Sequence, residues 1–237
     1  MNPLIQQILD LVESIKSKLD DLFGIVNGFL DWVPWGLGWL ADKIQDAWDY
    51  LVGKFNEFWA ACELIFGNMG SPESIGSVST SWSLSIGAPV SSQVGNADAG
   101  LLESDEHWTG TAADAYRPKT ILQKTALTAV EANYSAGAIS ALDTVRNGLT
   151  KFYMGLITAL GVLVAGIIGA LASAATIFGI PAGIFIAAGA ALIAEGAFYT
   201  GGTLLKSDCT TANTNLLAKY ANNAAFPSGA WPKGAVL

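Results

Sequence analysis

The chain reads as all-α, and three features of its 237 residues predict that class. Apolar positions recur every three or four residues through most of its length, the period of a helix face. The stretch from Phe152 to Leu205 holds one charged residue, Glu195, and is otherwise built largely from Gly, Ala, Ile, Leu, Val and Phe. Charged residues make up only 14% of the chain and hydrophobic ones 51%, a balance that suits helices buried in protein or in lipid. The expected architecture has four segments: an amphipathic two-helix segment over 1–67, a second helical hairpin over 70–151, a hydrophobic, transmembrane-like hairpin over 152–205, and a polar C-terminal helix and tail over 206–237.

In the first segment Leu4, Ile8, Leu11, Ile15, Leu19, Leu22, Val26 and Phe29 form one stripe, which breaks at Asp31-Trp32-Val33-Pro34. A second stripe runs from Leu40 through Ile44, Trp48, Leu51, Phe55, Phe58 and Cys62 to Ile65 and ends at Gly67. Two antiparallel helices packed through these seams is the plain expectation. Five of the eight tryptophans fall between Trp32 and Trp59. Core packing, with Trp48 and Trp59 in the bundle, is the favoured role for them over a belt at a lipid interface.

The stretch from Gly70 to Gly100 is rich in Ser and Gly, the composition of a linker, yet its period is helical. Ile75, Val78, Trp82, Ile86, Val90, Val94, Ala97 and Leu101 step by three or four. Ser71-Pro72-Glu73-Ser74 supplies a cap, a proline at the first position and an acid in the first turn. A long helix of weak intrinsic propensity follows, held by packing, with Trp82 in its bundle face.

Next comes Glu106-His107-Trp108-Thr109-Gly110-Thr111-Ala112-Ala113-Asp114-Ala115-Tyr116. Gly110 would allow a tight reversal, and the indole of Trp108 would cover the open end of the seam between two helices. With Trp82 on the first helix and Ala112, Ala113 and Tyr116 opening the second, the pattern resembles the WXG helical-hairpin family of type VII (ESX) secretion substrates. The resemblance covers about a third of the chain, from Gly70 to Lys151. It implies pairing through Trp108, Gly110, Ala113 and Tyr116, with a second copy or a related small WXG protein, and recognition by the type VII secretion machinery. It also implies an actinobacterial or Gram-positive source. The family's second export element, a Tyr followed four residues later by Asp or Glu, is missing: Tyr116, Tyr134, Tyr153 and Tyr220 are followed there by Thr120, Ala138, Ile157 and Ala224. Pro118 is a further departure and predicts either a first-turn position or a kink.

The apolar run beyond Lys151 is about twice the roughly 20 residues that cross a hydrocarbon core. Gly179-Ile180-Pro181 would break a helix, so two spans are expected, about Phe152–Phe178 and Pro181–Leu205, with Lys151 and Lys206 as anchors at one side. Small residues at helical spacing, Ala165 with Gly169 and Gly179 with Gly183, would let the two backbones pack closely. Glu195 lies about half way along the second span, as a packing group or as a carboxylate whose protonation would ease insertion. Replacing Gly166 and Ala188 with Asp is expected to abolish membrane activity while leaving a soluble, folded bundle.

The formal net charge of −8 argues against nucleic acid as a partner. Ten acidic residues stand against four basic ones from Met1 to Gly67, whereas five basic stand against two acidic from Tyr116 to Lys151. Attraction to anionic lipid would therefore act beside the hydrophobic hairpin. Cys62 and Cys209 make no disulfide framework, and no Cys/His cluster suggests a metal. His107, the lone histidine, reads as a solvated turn residue; neither an enzyme nor a cofactor is expected. The N-terminus lacks the pattern of a classical secretory signal, so export would take a signal-peptide-independent route. The composite expectation is a type VII secretion-associated effector or translocation module that pairs through its WXG hairpin and inserts a hydrophobic hairpin into a lipid membrane, with an oligomeric pore as one form of the inserted state. The alternative is a resident membrane scaffold or chaperone-like subunit that is not itself secreted.

Overall fold

The computed structural model describes residues 2–33, 35–66, 70–98, 107–221 and 223–234. It is all-helical, with no strand among the described residues. The helices are α1 (Pro3–Leu30), α2 (Gly38–Phe66), α3 (Pro72–Trp82), α4 (Ala88–Asn96), α5 (Thr111–Ala129), α6 (Ala136–Ser173) and α7 (Gly179–Ala221). A π-helical turn, Ser83–Gly87, links α3 to α4, and a second, Val130–Ser135, links α5 to α6. The chain divides into two compact units, each made of two separated stretches: 1–71 with 149–205, and 72–148 with 206–237. The expected Pro34 break, the Gly67 end, Leu101 and Glu106 lie outside the described residues.

In the first unit, α1 starts where Asn2 accepts hydrogen bonds from the amides of Leu4 and Ile5, with Pro3 in the first turn. Both predicted stripes are buried: Ile8, Ile15, Leu22, Val26 and Phe29 on α1, and Leu40, Ile44, Leu51, Phe58 and Cys62 on α2. Lys16 sits over the Trp59 ring and Phe23 meets Trp48, so the two helices run antiparallel. Their seams do not close on each other alone. They share one core with Phe152, Tyr153, Leu156, Leu160, Leu163 and Ile167 of α6, and with Ile184, Ala187, Ala191, Ala194 and Phe198 of α7. Phe58 lies edge-on to Phe198 at 6.0 Å, and the hydroxyl of Tyr153 donates to the Gly70 carbonyl at 2.7 Å.

Three expectations change here. The first apolar helix ends at Ser173 and the second begins at Gly179, so the turn precedes Gly179-Ile180-Pro181. Pro181 lies in the first turn, where an amide has no intrahelical partner and proline costs little. Trp32, Trp35 and Trp39 are exposed, not core; only Trp48 and Trp59 pack against it. Gly166 and Ala188 face protein: a Cβ on Gly166 would overlap the Ala190 methyl, and Ala188 is buried, so Asp at either position would break the core.

In the second unit, α3 starts at Pro72 with Glu73 in its first turn, as read from the sequence. Gly76 lies against Arg146, Ser79 donates to Asp143 at 3.3 Å, Gly87 faces Ser135, and Lys124 meets Asp98 at 2.5 Å. Each step forward on α3–α4 is matched by an equal step back from α6 into α5, an antiparallel register that brings the two π turns opposite each other. A Cβ on Gly87 would come within 2.8 Å of the Ser135 hydroxyl, which is buried without a hydrogen-bond partner. The buried positions are small, among them Ala113, Ala126, Ala129, Ala138 and Ala212, and the largest fully buried side chains all belong to the first unit. Pro118 lies inside α5, which excludes the first-turn alternative. The polar helix expected from Ser207 is the uninterrupted continuation of α7 to Ala221. The tail beyond it is tied down by Gln123, which bonds the Trp231 indole and the Pro232 carbonyl, and by Phe226, which meets Tyr134 edge-on at 5.3 Å.

Candidate functional site

Among the described residues, two helices are long and apolar enough to cross a membrane. From Phe152 to Ser173 the first covers about 33 Å at 1.5 Å per residue, and from Gly179 to Leu205 the second covers about 40 Å, against about 30 Å of hydrocarbon. Small residues bring them together. Gly166 faces Ala190, and a Cβ on Gly183 would stand 2.6 Å from the Ala170 carbonyl oxygen. Gly179 approaches Ser173 across the turn, its amide donating to the Thr176 carbonyl at 2.9 Å.

The face of this hairpin turned away from the shared core carries Met154, Val162 and Ile168 on α6, and Phe185, Ile193 and Leu204 on α7, all exposed. Phe185 is 60% and Ile193 61% exposed, and Phe178 in the turn is 71% exposed. A helix apolar on every side, with only one side covered, is the pattern of a surface that meets lipid or another apolar partner. The opposite side of the unit is polar: Asp10, Glu13, Asp20 and Asp21 on α1, and Asp42, Asp46, Asp49, Glu57 and Glu63 on α2, are exposed. Each such carboxylate would cost about 2.5–3.5 kcal/mol at the centre of a bilayer.

Glu195 is half-buried, and its charge acts on Lys54 of α2. Lys54 of α2 is held above its usual range first by its hydrogen bond to Glu57 at 2.6 Å and then, against partial desolvation, by the charges of Glu57 and Glu195. Phe58 lies on Phe198, and Gly70 beyond the end of α2 bonds Tyr153 beside the Phe152–Phe198 contact, so α2 and α7 run in the same direction.

Cys62 is buried in the shared core, and burial pushes its thiol from 9.0 up to about 12, because the thiolate has no water or cation to stabilise it. A folded-state value above the unfolded one favours folding below pH 9.0, and that contribution is lost as pH rises toward 12. Cys209 is exposed. At neutral pH a thiol reagent is therefore expected to modify Cys209 at once and Cys62 only after denaturation; rapid modification of both would contradict the packing of α2.

At the second feature, Gly110 has φ +105°, a conformation that favours glycine, and it caps α5. Trp108 is 40% exposed and packs on Tyr116 at 5.5 Å, while Arg117 donates to the Trp108 carbonyl at 3.2 Å and pairs with Asp114 at 3.0 Å. Ala113 is buried. The structure thus brings Trp108, Gly110 and Tyr116 together, although the indole is open to solvent on one side.

Trp82 is half-buried and its indole nitrogen is buried without a hydrogen-bond partner. It lines a groove of about 510 Å³ with Ile75, Val78, Leu142, Cys209 and Leu216, a feature the sequence stripe did not announce. Its walls include residues far apart in sequence, on α3, α6 and the end of α7, and no single-helix pattern reports that meeting. Among the described residues no group of three or more His, Cys, Asp or Glu is placed to hold a metal ion. No protein-family model, curated protein or solved structure matches the chain.

Proposed function

We propose that this protein inserts its hydrophobic hairpin, 152–205, into a lipid bilayer, and that its helical module 72–148 pairs with a second copy or a small WXG partner for export through a type VII secretion system. The observation that carries the membrane reading is the bare apolar face formed by residues such as Met154, Ile168, Phe185 and Ile193, backed by helices of spanning length. Water would order against that face at a cost of about 25 cal/mol per Å², which transfer to lipid relieves. The pairing reading is supported by the Trp108-x-Gly110 turn packed on Tyr116, and by a module that buries small side chains and leaves Leu84, Ile121 and Leu122 exposed. Pairing of such faces would give the module the larger core it lacks alone.

The test is partition of the full chain between water and phosphatidylcholine vesicles, with dye release recorded alongside. The wild type is expected to bind and release dye, and the double variant Phe185→Asp, Ile193→Asp to stay in solution with an unchanged helical circular dichroism spectrum. Equal binding by both proteins would overturn the membrane reading. Recovery of the wild type only from the bilayer, with no dye release and no export, would instead favour the resident scaffold.

A further inference from the structure

We infer that α1 and α2 form a detachable cover on the inner face of the hydrophobic hairpin, leaving that face when the hairpin enters a bilayer and coming to lie with their own apolar stripes on the lipid interface. The inference rests on the membrane reading above.

The packed arrangement and a spanning hairpin exclude each other. Phe58 packs on Phe198, and just beyond α2 the Gly70 carbonyl accepts from Tyr153, next to the Phe152 that meets Phe198; α2 therefore runs along the hairpin toward the end of α7, and α1 returns antiparallel to α2, so both covering helices lie abreast of the hairpin. The exposed acids of α1 extend from Asp10 to Asp21, and those of α2 from Asp42 to Glu63. Were the hairpin to span a membrane as packed here, these carboxylates would sit at hydrocarbon depth, where each ionised group is costly and the costs of so many add up.

The cover is also suited to release. Its grip on the hairpin is a hydrophobic core, and lipid acyl chains offer Phe152, Leu160, Ile167, Ile184 and Phe198 equally apolar surroundings. Each covering helix has an apolar stripe and a charged face, the build of a helix that lies in the plane of a membrane surface. Trp32, Trp35 and Trp39, exposed around the link between α1 and α2, carry the side chain that favours that zone. The single carboxylate of the hairpin, Glu195, is half-buried and its charge acts on Lys54 of the cover, while the bare face carries no charge.

A covalent lock tests this. In a Cys62→Ala, Cys209→Ala background, Lys54→Cys and Glu195→Cys are joined by a short bis-maleimide with a reducible link, and the full chain is mixed with phosphatidylcholine vesicles. Both forms are expected to keep the same helical circular dichroism spectrum; linking should lower dye release by about tenfold or more, and reduction of the link should restore it. Phe58→Ala, which loosens the same contact without a lock, should move release in the opposite direction. If the linked protein releases dye as fast as the unlinked one, the cover is not obligatory and the inference fails. If neither the unlinked variant nor the wild type binds vesicles at all, the membrane reading fails, and the inference with it.

Discussion

Phe58→Ala is expected to remove about 3–5 kcal/mol of stability from the first unit, the largest loss predicted for a single core truncation. Phe58 is fully buried, it meets Phe198 edge-on at 6.0 Å, and it joins α2 to α7. Truncation leaves a cavity bounded by four helices, and long helices cannot collapse around it without moving their other contacts. The loss should appear as a lower urea midpoint followed by circular dichroism at 222 nm, a wavelength that reports helix, roughly in proportion to the cost. The neighbouring exposed Glu57, changed to Ala, should stay within about 0.5 kcal/mol of the wild type, since its pair with Lys54 lies at the surface. A Phe58→Ala midpoint equal to that of the wild type would mean that α2 does not pack on α7.

Gly183→Leu carries the second large effect, for the opposite reason. A Cβ there would stand 2.6 Å from the Ala170 carbonyl oxygen and 3.2 Å from its carbon, and backbone atoms within a helix cannot yield as a flexible side chain does. Overpacking of this kind costs about 1–3 kcal/mol where side chains adjust, and more is expected here because α6 and α7 themselves must separate. Gly189, six residues on in the same helix, has open space at its Cβ position. Gly189→Ala should therefore gain up to about 1 kcal/mol from helix propensity alone. The pair separates close approach from a general intolerance of side chains on α7: thermal midpoints that fall for the first and rise for the second support the approach at Gly183, and a fall of equal size in both would refute it.

The helices were legible in the sequence because their periodicity has a direct physical cause. Ile8, Ile15, Leu22, Ile44, Leu51 and Phe58 recur every three or four residues because one side of each helix is buried. Ser71-Pro72-Glu73 announced the start of α3 through its Ser/Gly-rich composition, and Gly110 announced a conformation that few other residues adopt. What stayed hidden was mostly relational. A stripe declares that it is buried but not by what, so the common core of the first and third segments did not follow from the stripes of either. In an all-apolar helix there is no stripe at all, and so Gly166 and Ala188 could not be told from Phe185 and Ile193, although the first two face protein and the last two are bare.

Local chemistry misled at two further places. Gly179-Ile180-Pro181 contains the residues of a break, yet proline within the first turn fits a helix start, so the turn lies just before it. The tryptophans between Trp32 and Trp59 share a composition but not a fate: Trp48 and Trp59 are partly buried against the core, whereas Trp32, Trp35 and Trp39 flank the link between helices and stay exposed. At the candidate site itself, the apolar run was evident from its lack of charge, but its division into a covered and a bare face required the structure.

An environment-sensitive fluorophore read at two positions of the full chain reports whether the bare face of the hairpin enters a bilayer. It is attached through Phe185→Cys in one protein and through Asp46→Cys in another, each in the Cys62→Ala, Cys209→Ala background, and emission is recorded with and without phosphatidylcholine vesicles. A blue shift and protection from aqueous quencher are expected at 185, where the bare face meets hydrocarbon, with a probe still open to aqueous quencher at 46, on the charged face of α2. An unchanged, fully quenchable probe at 185 in the presence of vesicles would contradict the membrane reading.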